Sequence, residues 1–430
     1  MKETARQKER QSERQKIAII GAGISGLLSA YLLSREYDVT LFEANKYLGG
    51  HTHTKTVQSA GKDYAVNTGF IVYNDWTYPN FIKLMDQLGV ASEASEMSFS
   101  VRDENTGLEY NGTSLNSLFA QRSNLLKPGF WFMIKDILRF NKQTVAMVQQ
   151  GAIPQGQTLG EFVKHHGYGD HFVNHYIVPM GAAIWSASVD VMLEFPLQFF
   201  LKFFNNHGML SIDNRPQWRV ISGGSQSYIE PLIAPFKNNI HLNCPINSVK
   251  RSAERVVVTT AKGDQYDFEQ VVFACHSDQA LAMLDEPSQA EIDILGAITY
   301  QKNEVVLHTD RRLMPKRKLA WAAWNYHIPQ RLSEYAMVTY HMNALQNFDA
   351  ADDFLVTLNR TAEIAPGKII EKYNYAHPVF TMDGMAAQQR HDEINNKNRS
   401  HFCGAYWFNG FHEDGVNSAL RVAQAFGIEL

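Results

Sequence analysis

The chain has 430 residues, 45% of them hydrophobic and 20% charged, enough to bury a large core and to divide into about two or three domains. Its 44 acidic and 40 basic residues leave a formal charge of -4, and no basic stretch is interleaved with aromatics, which argues against a nucleic-acid partner. Cys244, Cys275 and Cys403 are too few and scattered for a disulfide framework or a paired metal-ligand spacing, so no metal site is expected and a reducing, cytoplasmic setting is the simpler reading.

Residues 1–15, MKETARQKERQSERQ, are charged and lack the apolar core of a signal peptide; they are expected to form a loose tail. Residues 16–20 read as a buried strand, and Gly21, Gly23 and Gly26 follow at the G-x-G-x-x-G spacing. In such a turn the first glycine permits the tight bend, the second lets backbone approach a pyrophosphate, and the third lets the next helix pack on the sheet. Residues 27–33 continue as an apolar helix, and 39–42 form a second strand ending at Glu43, an acid placed to accept hydrogen bonds from a ribose. Strand, glycine turn, helix, strand and acid together predict a site for an adenine dinucleotide.

Short strands alternate with glycines and small polar residues through NKYLGGHTHTKTV and YAVNTGFIVYN. Helical stretches follow in YPNFIKLMDQLGV, FWFMIKDILRFNKQTVAMVQQ and LGEFVKHHG, a region read as an inserted substrate domain. Within it MGAAIWSASVDVMLEFPLQFFLKFFNNHG carries Trp185, Phe195, Phe199 and Phe203, which are candidates either to line an acyl tunnel or to fill a core. A tunnel would gain about 0.8 kcal/mol for each methylene it buries. Residues 124–140 mix Trp131, Phe and Ile with Lys127, Lys135 and Arg139, a pattern that suits either a lipid interface or packing against the neighbouring domain. Strand character returns in VISGGSQSYIEPLIAPF, in INSVKRSAERVVVTTAKGDQYDFEQVVFACH and in EVVLHTD, and the chain closes with a glycine-rich loop and a helix over 416–425. The division is then a tail (1–15), a cofactor domain assembled from 16–77, 219–288 and 385–430, and a substrate domain, mainly helical over 78–218 and resumed over 289–384.

Residues 21–50, NTGF at 67–70, RPQWRVISGGSQSYIEPL at 215–232, and the closing FCG and GFHEDGVNSA segments carry a resemblance. The sequence resembles the flavin-containing amine oxidase and phytoene desaturase superfamily. It is most similar to a bacterial branch of NAD/FAD-binding proteins associated with cyclopropane-fatty-acid synthases. The resemblance implies an α/β fold: a Rossmann-like FAD-binding domain of the glutathione-reductase/amine-oxidase type with an interleaved α+β substrate domain. It implies FAD as cofactor, held near Gly21, Gly23, Ile24, Ser25, Gly26, Glu43 and Ala44, near the second glycine pair Gly49 and Gly50 with His51 and Thr52, and near Asn67, Thr68, Gly69 and Phe70. Val249 matches a position whose backbone meets the adenine; Cys403 and Gly404, then Gly415 and Val416, match loops near the ribityl chain and the isoalloxazine. Tyr406 joins the aromatic residues as a substrate contact.

Two departures matter. His51 stands where amine oxidases carry an arginine, and is read either as a flavin contact or as a hydrogen-bonding group within a turn. Lys302 is the nearest match to the lysine that holds water beside the flavin, but a solvent-facing strand end is the plainer placement. His412 and Glu413 are candidates for catalytic proton handling or for stabilising their own loop. The implied activity is an FAD-dependent oxidoreductase that oxidises or desaturates an apolar lipid or unsaturated acyl chain. The alternatives are a flavin amine oxidase and a redox-inactive flavin protein that binds lipid or scaffolds a complex. The expected partners are an apolar small molecule or lipid, peripheral contact with the inner face of a membrane, and a lipid-modifying enzyme.

Overall fold

In the computed structural model the described residues are 14–211, 213, 215–330 and 334–430; the tail expected over 1–15 falls almost wholly outside them. A parallel five-stranded sheet runs in the order Ile240–His241, Asp38–Phe42, Lys16–Ile20, Gln270–Phe273, Ser400–Phe402. Ile20 pairs with Phe42 on one side and Phe273 on the other, and Phe273 pairs with Phe402. The carboxyl ends of four strands are therefore level, and Gly21, Glu43, Ala274 and Cys403 leave the sheet along one edge. In open α/β sheets that edge is where ligands bind. Buried apolar runs such as Ile17 to Ile20 form these strands because both faces are covered: helices Ile24–Leu33 and His412–Ala425 pack together on one face, the meander Ile246–Arg251, Val256–Thr260, Gln265–Phe268 on the other.

The second body is a seven-stranded mixed sheet in the order Ile369–Val379, Thr299–His308, Leu355–Leu358, Val338–His341, Trp324–Ile328, Phe99–Asp103, Glu109–Asn111. Helices Pro128–Gln149, Leu159–His165, Val178–Trp185 and Leu197–Asn206 share an aromatic core with it. Strands from residues 99–111 and 299–379 thus join one sheet.

Three expectations shift. Helix Pro79–Leu88 lies where a helix was expected, yet Phe81, Leu84 and Met85 bury into the cofactor-side core, because Glu413 of the last helix holds its first turn. Helix Gln289–Gly296 likewise sends Ile294 and Leu295 to the cofactor side. The last helix begins at His412, four residues before the expected start, because the Asp414 carboxylate accepts the Phe411 N–H at 2.8 Å and closes the first turn within the stretch read as a loop. Among the described residues no helix is long and apolar enough to cross a membrane.

Candidate active site

The glycine turn sits between the first strand and helix Ile24–Leu33, and its glycines are fixed by contact. A Cβ on Gly26 would lie 1.9 Å from the Gly21 oxygen, and one on Gly21, at φ +106°, would lie 2.8 Å from the Ala274 oxygen. Gly23 is different: a Cβ there meets nothing within 4 Å, so its outer side is open. The second glycine pair rests on this turn. Gly49 donates to the Ala22 oxygen at 2.8 Å, and a Cβ on Gly50 would touch the Gly23 Cα at 3.2 Å. Behind them Ser25 Oγ donates to the Gly415 oxygen at 2.8 Å, which locks the start of the last helix to the start of the first. Two helix N-termini therefore lie side by side at this turn, and unpaired N–H groups at helix starts favour an anion.

Glu43 is buried at the end of its strand. One carboxylate oxygen accepts the Ala22 N–H, the other the backbone and side-chain N–H of Asn45, each at 2.8 Å. A carboxylate has about four acceptor sites, so one is left for a ligand hydroxyl. Ala44 is exposed beside it. The NTGF segment acts as a brace: Phe70 N–H donates to the His51 oxygen at 2.7 Å, a Cβ on Gly69 would lie 2.1 Å from that oxygen, and Asn67 Oδ1 accepts from Thr54 and Ser225. Thr52 Oγ1 is 2.6 Å from the Tyr228 hydroxyl. Val249 is buried in the meander with its oxygen accepting from Asp285 at 3.3 Å, in the cluster that holds Ile20 and Phe42. Cys403 is buried with Sγ 3.7 Å from Ser29 Oγ, and burial pushes its thiol up to about 12. The Cys403 N–H donates to the Phe273 oxygen and the Gly404 N–H to Ser418 Oγ, each at 2.9 Å, so this loop is tied to the sheet and to the last helix.

His51 follows the second glycine pair. Its ring lies 4.9 Å from Tyr375, 5.3 Å from His377 and 6.5 Å from His276, and its Nε2 is buried without a hydrogen-bond partner. Burial, then the neighbouring imidazoles, hold it neutral well below the usual histidine range. Burial takes His377 down to about 4. His377 Nδ1 meets Asn303 Nδ2 at 3.1 Å, and His276 stacks on Tyr300 at 4.2 Å. Lys302, one residue from buried Asn303, is exposed on the opposite face of its strand. The site is thus lined by neutral imidazoles and phenols.

Residues 24–354 match the sequence pattern of the flavin-containing amine oxidoreductases. The chain belongs to that family. FAD is its cofactor, and the site fits it: an open face at Gly23 between two helix N-termini, a buried acid at the adenosine-side strand end, and an orphaned imidazole nitrogen beyond the second glycine pair. Among known proteins, a mitochondrial protoporphyrinogen oxidase of Nicotiana tabacum is 27% identical over 189 residues, 42% of this chain and 35% of that protein. The chain thus spans about a third of the length of that relative. The cyclohexylamine oxidase of Brevibacterium oxydans IH-35A shares the fold with a TM-score of 0.65 at 14% identity, over 96% of this chain and 100% of that one. A fatty acid isomerase of P. acnes that produces CLA does so with a TM-score of 0.68 at 18% identity, over 96% and 98%.

Within this flavoprotein fold several expected roles are corrected. His412 stacks on Phe70 at 3.7 Å and bonds Tyr228 at 2.8 Å through Nε2, and burial lowers it to about 3. It is neutral at neutral pH, with Nε2 committed to the Tyr228 hydroxyl and its ring face to Phe70. Glu413 accepts the Asn80 and Phe81 N–H groups at 3.0 and 2.8 Å, so both oxygens hold the first turn of helix Pro79–Leu88. Replacing Glu413 by Ala is expected to lower stability by about 1–3 kcal/mol, because two helix donors lose their acceptor. Glu413→Gln should lose less than Glu413→Ala, since its one oxygen keeps one of the two donors while its NH2 faces the other, and both variants should keep the parent rate of flavin reduction in stopped flow.

The aromatic stripe is packed, not an open tunnel. Trp185 lies 4.6 Å from Phe195, 4.8 Å from Phe203 and 5.9 Å from Phe199. The space left among Trp185, Phe195, Gln301 and Phe380 is about 10 Å³, room for one water. Tyr406 is apart from that group: its ring lies against Gly404 and Trp407 in the cofactor-side core. The sequence reading missed His276, His377, Tyr375 and Asn303. Alternation in IIEKYNYAHPV, which puts Tyr373, Tyr375, His377 and Val379 on one strand face, is the signal that marks two of these positions, Tyr375 and His377.

Proposed function

We propose that the chain is an FAD-dependent oxidoreductase acting on the carbon framework of an apolar lipid, an unsaturated acyl chain being the leading substrate. The observation that carries this reading is the wall beside the cofactor loop. His377, in ring contact with His51, is two residues from Val379, about 7 Å along the strand. Val379 lines the small cavity with Trp185, Phe195, Pro378 and Phe380, where Gln301 is the polar side chain and no acid is present. A protonated amine entering there would lose its hydration with no carboxylate to replace it. Exposed Lys302 adds to the case against amine oxidation.

In this reading the Gly21 to Gly26 turn and the two helix starts take the pyrophosphate, Glu43 takes the adenosine ribose, and His51 meets the flavin. The cofactor when bound supplies two-electron chemistry. The chain supplies the rest: the aromatic wall excludes water, and neutral His51 has a free ring nitrogen to make one hydrogen bond. Because the stripe is packed, an acyl chain enters only when contacts such as the Phe199 to Phe380 stack at 4.8 Å open. The association with lipid-modifying enzymes implied by the sequence resemblance adds to the same reading.

The test is to mix oxidised holoprotein anaerobically with free unsaturated fatty acids and with phospholipid fractions, following the oxidised-flavin absorption and the lipid mass. The expected result is a lipid that loses two hydrogens in proportion to flavin reduced. Inertness toward every lipid, with rapid bleaching by a primary or secondary amine, would reject it in favour of amine oxidation.

A further inference from the structure

Helix Pro128–Gln149 has two faces. Phe130, Met133, Phe140 and Thr144 point into the aromatic core, whereas Trp131, Phe132, Lys135, Leu138, Arg139 and Lys142 are exposed along one side. Phe132 is 64% exposed, and Leu126, on the turn just before the helix, is 87% exposed. Trp131 is held in place while half in water: its indole N–H donates to the Leu125 oxygen at 3.0 Å and its ring lies 5.3 Å from Phe119. Large apolar side chains clustered on a surface mark an interaction site, where single ones do not.

The charge around this cluster selects its occupant. Between residues 115 and 142 stand Arg122, Lys127, Lys135, Arg139 and Lys142 against one acid, Asp136. Asp136 is engaged by Arg139 at 3.1 Å and by the Gly169 N–H at 2.9 Å. Lys127, Lys135 and Lys142 make no ion pair with any described residue. A second copy of the chain on a two-fold axis would set these lysines against their own kind. A bilayer with anionic headgroups answers both halves of the surface: protruding Leu126 and Phe132 enter the acyl boundary, Trp131 sits at the interface, and the lysines meet phosphates.

We infer that this face docks the protein on an anionic lipid surface. The inference rests on the lipid reading of the active site and deepens it. Helix Pro128–Gln149 packs directly on helix Leu197–Asn206, which carries Phe199 and Phe203 around Trp185. The membrane face is therefore one helix layer from the apolar wall.

Flotation of the full holoprotein with vesicles of phosphatidylcholine alone, and of phosphatidylcholine with equal phosphatidylglycerol, tests this. The expected result is binding to the anionic vesicles that salt weakens. Lys135→Glu should lower partition by at least about fivefold, and Phe132→Asp by more than about tenfold. Both should leave melting temperature and bound FAD unchanged, since the side chains are exposed. Failure of intact holoprotein to float on anionic vesicles overturns the inference, as does a dimer in light scattering that Phe132→Asp dissociates or capture by an acidic protein in its place. Flavin reduction by monomeric fatty acid in a protein that does not float would remove the docking face and leave the function standing. Flotation without reduction by any lipid would do the reverse.

Discussion

Gly23→Ala is expected to fold and to lose FAD, whereas Gly26→Ala is expected not to fold. The two positions are three residues apart in one motif, and the difference is steric. A methyl on Gly26 would be placed 1.9 Å from the Gly21 oxygen, with Ala274 Cβ at 3.1 Å on its other side. Neither neighbour can withdraw without opening the turn or the sheet, so overpacking here should cost several times the usual 1–3 kcal/mol or so for a core insertion. A methyl on Gly23 meets no protein atom within 4 Å, and the residue has φ -70°, which alanine adopts freely. Its cost to the apoprotein is the loss of a good N-cap, less than about 1 kcal/mol. What it does is fill the open side of the turn, where the pyrophosphate would approach. The measurement is melting of the apoproteins together with FAD released on denaturation. Gly23→Ala should melt like the parent and retain at least tenfold less FAD under the same wash. Full flavin content in Gly23→Ala would mean that the cofactor does not pass this face.

The elements that position the cofactor were legible because their signals are local. Strand, glycine turn, helix and Glu43 lie within 28 consecutive residues, and contacts within that span dictate their residue types. The aromatic stripe was legible as apolar but ambiguous in role: Trp185, Phe195, Phe199 and Phe203 have the same spacing whether they line a tunnel or fill a core. Only the packing, with its 10 Å³ remainder, decides between them. His412 and Glu413 misled for a related reason. A polar pair before a helix reads as chemistry, but their partners, Tyr228, Phe70, Asn80 and Phe81, come from more than 180 residues away and make them structural. The neutral imidazole cluster was invisible because His51, His276 and His377 come from three segments that meet only when the long strand Ile369–Val379 lies across the second glycine pair.

The protein should be acid-sensitive well above the pH at which carboxylates protonate. Burial holds His207, His308, His377 and His401 down to about 4, and His327 and His412 to about 3, against 6.5 for a free ring. A buried neutral ring binds fewer protons than the unfolded chain at every pH between those values and 6.5, so the stability it permits is complete above 6.5 and is lost as pH falls. At pH 5 the loss is about 2 kcal/mol for each ring, and six rings together reach the roughly 5–15 kcal/mol that holds a typical protein folded. Two carboxyls act the other way. Desolvation raises Glu413 to about 7 and Asp414 to about 6, so their contribution is present at low pH and is lost as pH rises through those values. Two groups offset only part of what six remove. Urea midpoints should therefore be highest near pH 7–8 or so and collapse between about pH 6 and 5. His401 offers the sharpest check, since it is fully buried and neither ring nitrogen has a partner. His401→Leu should change stability little at pH 8 and remove about 2 kcal/mol of the loss at pH 5. Parallel pH profiles for parent and variant, or a parent whose stability stays level from pH 8 to 5, would show that these rings do not govern acid unfolding.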